Sequence, residues 1–113
     1  MPIISVSHKR SAPADLLELL ARELPEIVSK ALDCPEEPYD RELAPGDVNL
    51  QFSPVLADGE GLDYLLEIRT SSTASRQANL QERSDRVKDA LEALGLRRFG
   101  VWLEIPEAAW SQA

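Results

Sequence analysis

Apolar side chains along this chain change their spacing from one segment to the next, and each spacing predicts an element. Ile3, Ile4 and Val6 are β-branched and predict a first strand, with Pro2 at the one strand position where a missing N–H removes no needed ladder bond. Leu16, Leu17, Leu20, Leu24, Ile27, Val28, Ala31 and Leu32 then recur at three- and four-residue steps, opposite Glu18, Arg22, Glu23, Glu26 and Lys30. That stripe predicts an amphipathic helix starting near residue 12, with Ser11 as its cap, Pro13 in its first turn and Asp15 at the positive end of its dipole. Pro25 lacks the N–H that would reach the Ala21 carbonyl, so it is expected to bend the helix or split it. Asp33-Cys34-Pro35 ends the pattern.

Residues 36–47 have no steady period and read as an exposed connection rich in proline and acidic side chains. Val48, Leu50 and Phe52 then alternate with Asn49, Gln51 and Ser53, the period of a strand buried on one face, and Pro54 makes it an edge strand, a bulged one, or one that stops there. Asp58-Gly59-Glu60-Gly61 is a turn. Leu62 to Thr70 is apolar enough for a central strand, with Tyr64, Leu66 and Ile68 on one face and Glu67 and Arg69 on the other. Serines and threonines at 70–75 offer caps for a second helix carrying Leu80, Val87, Ala90, Leu91 and Leu94. Gly95 suits the left-handed residue past its end, with Leu96 placed for the accompanying apolar contact. Phe99, Val101, Leu103 and Ile105 complete a last strand, and Pro106 opens a short tail containing Trp110.

The order β-α-β-β-α-β defines an α+β chain, expected to be a single domain over residues 1–113. Two right-handed βαβ units would form a four-stranded mixed sheet with both helices on one face. Ferredoxin-like domains share this element order, so order alone leaves two architectures open. The uncovered face carries apolar side chains including Leu65 or Trp102, and such a face is usually buried against another subunit.

Charge and composition narrow the partners. Twelve basic and twenty acidic residues give a net charge of -8, and the one dense basic cluster, His8-Lys9-Arg10, is far short of a phosphate-binding footprint. Nucleic acid and anionic membrane surfaces are therefore not expected as partners. A single cysteine and a single histidine supply neither an internal disulfide nor a zinc ligand set, which fits a reduced, cytoplasmic protein without metal or cofactor. No apolar run approaches a membrane span, and no targeting segment is visible. His8 reads as a loop histidine and Cys34 as a small buried hydrophobe, since neither has a partner at catalytic spacing. Tyr39, Asp40 and Glu42 lie in a loop too irregular to assign to water activation.

The first residues carry the one unusual chemical possibility. If Met1 is removed, Pro2 becomes a secondary amine at the tip of a strand, with a reference pKa near ~8 that desolvation beside cationic groups would lower. With Met1 retained, the same nitrogen is a tertiary amide without a basic lone pair. A strand tied into a sheet from residue 3 would hold that nitrogen in place.

Met1-Pro2-Ile3-Ile4, Arg10-Ser11 before the first helix, Leu32-Asp33-Cys34-Pro35 at its end and the tail Pro106-Glu107-Ala108-Ala109-Trp110-Ser111 together resemble the tautomerase superfamily. Glu67, inside an apolar third strand, is similar to a little-characterised bacterial branch of it. The resemblance implies a homotrimer in which Pro2 acts as base or acid on a small enol, keto or unsaturated carboxylic acid. It also implies that Arg10, and Arg69 or Arg76 from the second half, bind the substrate, and that Arg10 lies near the Pro2 nitrogen within the subunit or across an interface. Read from the residues alone, Arg10 is equally a solvated loop charge, and Arg69 is better explained as a partner of Glu67 or Glu104. A non-catalytic oligomeric scaffold or small-ligand-binding protein of the same fold is the competing reading, and a ligand-binding ferredoxin-like regulatory domain a third.

Overall fold

The structure is a computed structural model of the chain and describes residues 2–33, 46, 48–55, 61–70, 78–105, 111 and 113. Six elements follow in the expected order: β1 (Ile3–Lys9), α1 (Ala14–Leu32), β2 (Asn49–Val55), β3 (Tyr64–Arg69), α2 (Leu80–Ala93) and β4 (Phe99–Glu104). The sheet runs β2-β1-β3-β4, with β1 parallel to β2, β3 parallel to β4, and the two halves joined antiparallel through β1 and β3. β2 is an edge strand, which explains how it accommodates Pro54 opposite His8.

Strand alternation sorts the side chains into two faces. Ile4, Val6, Tyr64, Leu66 and Ile68 are buried on one of them, in a single core with Leu20, Leu24, Val28 and Leu32 of α1 and Val87 and Leu91 of α2. Both helices therefore cover the same face. Ile3, Ser5, Ser7, Lys9, Asn49, Gln51, Ser53, Leu65, Glu67, Arg69, Gly100, Trp102 and Glu104 share the other face. This face is more polar than the sequence suggested, its exposed apolar strand residues being Trp102 at 60%, Val55 at 37% and Leu65 at 36% exposure. Gly100 leaves room there, since a Cβ at this position would stand 2.7 Å from the Leu62 Cδ1.

Three local expectations need correction. α1 starts at Ala14 with Pro13 as its cap residue and no capping side chain. Ser11 cannot serve, because residues 10 and 11 form a turn closed by the Ala12 N–H on the Lys9 carbonyl at 3.1 Å. Pro25 does not split the helix: one ladder bond is missing, while Leu20 and Leu24 before it and Val28 and Leu32 after it hold both halves on the sheet. His8 is no loop residue either, since β1 runs on to Lys9 and places the ring on the helix face, 7% exposed, with Nδ1 2.9 Å from the Lys9 carbonyl oxygen. By contrast, α2 ends as expected. Gly95 takes φ +95°, its N–H donates to Glu92 at 2.9 Å, the Leu96 N–H donates to Leu91 at 3.1 Å, and Leu96 is buried.

The two helices are fastened by Arg83 of α2, only 3% exposed. Its Nη1 donates to the Ala31 and Asp33 carbonyls at 2.9 and 3.0 Å, and its Nε to the Asn79 Oδ1 at 2.7 Å. A guanidinium thus satisfies carbonyls that the end of α1 leaves without intrahelical donors, where the helix dipole is negative. Replacing Arg83 with Met keeps much of the apolar stem and removes these charged hydrogen bonds, so urea unfolding should show a loss of about 3 kcal/mol. A loss within the range of an ordinary surface substitution, below about 0.5 kcal/mol, would mean that the bonds do not hold the helices.

Candidate functional site

The register decides which candidate residues share an end of the sheet. Ile3 lies opposite Asn49 on β2 and Arg69 on β3, and Arg69 lies opposite Glu104 on β4. Pro2 is buried directly before Ile3, and its carbonyl accepts the Asn49 N–H at 2.9 Å. At the far end of β1, the Lys9 N–H donates to the Asp63 carbonyl at 2.9 Å. Antiparallel alternation then makes the even positions of β1 close, non-hydrogen-bonded partners of β3. The pairing ends at Ile3 and Arg69, and one further step of the same alternation would set Pro2 opposite Thr70 as a close, non-hydrogen-bonded pair. In such a pair the backbone groups of Pro2 face β2, so its missing N–H removes nothing from the β1–β3 ladder.

Thr70 is 5% exposed, and its Oγ1 is buried without a hydrogen-bond partner among the described residues. Nothing in the composition marks this threonine. Only the pairing of β1 with β3 brings it to Pro2, and residue spacing does not encode register.

Arg69 is on the open face beside this end and is already engaged. Its Nε donates to Glu104 Oε1, and its Nη2 to Glu67 Oε2 at 3.1 Å. The Trp102 Nε1 donates to Glu104 Oε2 at 3.2 Å. The Trp102 and Arg69 hydrogen bonds hold the Glu104 carboxyl below the usual glutamate range, and Glu104, with Glu67 contributing less, raises Arg69. The pairing expected for Arg69 is thus present, with both carboxylates at once.

Arg10 follows the other end of β1 and is exposed. Eight residues of extended chain at ~3.3 Å each put it about 26 Å from Pro2. Within one subunit the two do not meet, which removes the intrasubunit form of the arrangement that the resemblance implied. Arg76, Cys34, Tyr39, Asp40, Glu42 and most of the Pro106–Ser111 tail fall outside the described residues. None of the candidate residues lines the cleft of about 560 Å³ between the outer faces of the helices, which is bordered by Ile27, Lys30, Arg86 and Leu94. Among the described residues, no group of three His, Cys, Asp or Glu side chains is placed to hold a metal, and no helix is long and apolar enough to cross a membrane.

No protein-family model matches the sequence, and none of the curated proteins does. Solved structures do match it. The macrophage migration inhibitory factor-like protein of Entamoeba histolytica aligns over 99% of this chain and 95% of its own, with TM-score 0.64 and 16% identity. A 5-carboxymethyl-2-hydroxymuconate delta-isomerase aligns over 100% of this chain and 87% of its own, with TM-score 0.59 and 20% identity. A fused 4-oxalocrotonate tautomerase, described as an asymmetric trimer, aligns over 92% and 85%, with TM-score 0.55 and 15% identity. The chain has the fold of the tautomerase superfamily, and the ferredoxin-like alternative is set aside.

The Glu104 clamp makes a pH prediction. Because its folded pKa is lowered, its contribution to stability is present above the ordinary glutamate value and is lost as pH falls through the lower folded value. In a carboxyl-carbon NMR titration, Glu104 should titrate below the ordinary glutamate range, and replacing Trp102 with Phe should move it back up. An unchanged Glu104 midpoint in that variant would contradict the assignment.

Proposed function

We propose that this chain is a tautomerase or related isomerase that uses Pro2, freed by removal of Met1, to move a proton on a small enol or unsaturated carboxylic acid. The observation that carries the reading is the fixed position of Pro2. It is buried at the head of an inner strand, with its carbonyl bonded to Asn49, so a free amine there would be held for proton transfer instead of fraying. For an enol substrate, the amine accepts the hydroxyl proton and returns a proton to carbon, leaving the ketone. This step uses groups of the chain and no cofactor.

A carboxylated substrate also needs positive charge, and the charge of Arg69 is already met by Glu67 and Glu104. Arg10 of another copy can supply it, because in a closed ring the far end of one β1 can approach Pro2 of a neighbour. We therefore extend the proposal to a homotrimer, as in the fused tautomerase of like fold, with a small carboxylated molecule as substrate and the cytoplasm as the setting. Arg76 stays a candidate for the same charge. The second reading, a non-catalytic scaffold or small-ligand-binding protein, is favoured by the neutralised Arg69.

Intact mass of protein from its native host, together with phenylenolpyruvate ketonisation, tests the proposal. The expected mass lacks methionine, and Pro2→Ala should lower ketonisation by about 10²-fold or more. A mass that retains Met1 rules out chemistry at Pro2. Correct processing without activity on a panel of enols would put the scaffold reading ahead. Sedimentation at micromolar concentration should show a trimer, and a monomer would remove Arg10 from the site.

A further inference from the structure

Thr70 is the buried group that the fold leaves without a use. The residue is 5% exposed and its hydroxyl oxygen is buried, yet among the described residues neither a backbone carbonyl nor a side chain answers it. A buried hydroxyl without a partner is costly, and where one persists it calls for an explanation. A second, independent fact is its place. The β1–β3 register runs Ile4 to Ile68 and Ile3 to Arg69, and one further step of that alternation would set Thr70 across from Pro2. Both residues also have the parity of Ile4 and Ile68, so their side chains share the helix face of the sheet.

We infer that Thr70 supplies a hydrogen bond to the substrate oxygen that gains negative charge while Pro2 holds the proton. This assignment rests on the proposed role of Pro2. The chemistry is asymmetric in a useful way. An enol or keto oxygen makes a weak acceptor, the enolate a strong one, so a donor already desolvated beside the amine favours the charged species over the bound ground state. The hydroxyl can turn to its acceptor without moving the backbone. It also needs no net charge, which suits a sheet end where Arg69 is already neutralised by Glu67 and Glu104. The substrate class that follows is a small molecule whose enol or keto oxygen lies next to the carbon that exchanges its proton.

Thr70→Val and Thr70→Ser test this, assayed by phenylenolpyruvate ketonisation beside wild type and Pro2→Ala. Valine keeps the shape and removes the hydroxyl, so the midpoint of thermal unfolding should stay level or rise, whereas a threonine that serves only packing or local bonding predicts a fall or no kinetic effect. Thr70→Val should lower kcat by about 10²-fold with KM little changed, and Thr70→Ser should restore most of the rate. Unchanged ketonisation in Thr70→Val, with Pro2→Ala inactive, overturns the role of Thr70 and leaves that of Pro2 standing. Wild type no faster than Pro2→Ala overturns the Pro2 reading, and the role of Thr70 falls with it.

Discussion

β1 is bonded along both of its edges, to β2 on one side and β3 on the other, and the remaining elements take their places from it. Its parallel pairing with β2 requires a crossover, which α1 provides. Its antiparallel pairing with β3 joins the two βαβ units into one sheet with both helices on the same face. The same double pairing removes the freedom a chain start normally has. Pro2 is buried, its carbonyl is bonded, and the identity of the residue opposite it is set by register. A residue that composition leaves as an ordinary second position thus becomes a fixed point.

Charge at this end of the sheet constrains the chemistry more tightly than the fold does. Among the described residues, Arg69 is the arginine that ends β3 at this end of the sheet, on its open face, and two carboxylates and a tryptophan N–H build the clamp that holds it. Arg69 and its two carboxylates together carry no positive charge to offer a carboxylate ligand. Arg10 is exposed and has its charge to offer, but stands at the wrong end of β1. Among the described residues, a cation for an anionic substrate at Pro2 would have to come from another copy, whereas a neutral donor such as the Thr70 hydroxyl could act within one.

Patterns that repeat were legible in the sequence. The three- and four-residue steps from Leu16 to Leu32, the alternation around Leu66 and around Val101, and Gly95 before Leu96 each encode a local geometry that the core then uses. What depended on pairing was not legible. Ser11 looks like a cap until the turn at Lys9–Ala12 is seen to use it, and His8 looks like a loop residue until β1 extends past it. Arg83 looks like one more surface arginine of a charged helix. Its burial follows from the end of α1 meeting the start of α2, a contact between residues about 50 positions apart. Thr70 meets Pro2 only through a register that no spacing in the chain specifies.

The nitrogen of Pro2 is the atom on which the account turns, and it can be observed directly. In protein labelled with ¹⁵N-proline and purified from its native host, one proline nitrogen should resonate as an amine and titrate with a midpoint below the ~8 of an ordinary terminal amino group. A Pro2 signal in the tertiary-amide range that does not move with pH would show that Met1 is still attached, and would contradict a proton-transfer role for this residue.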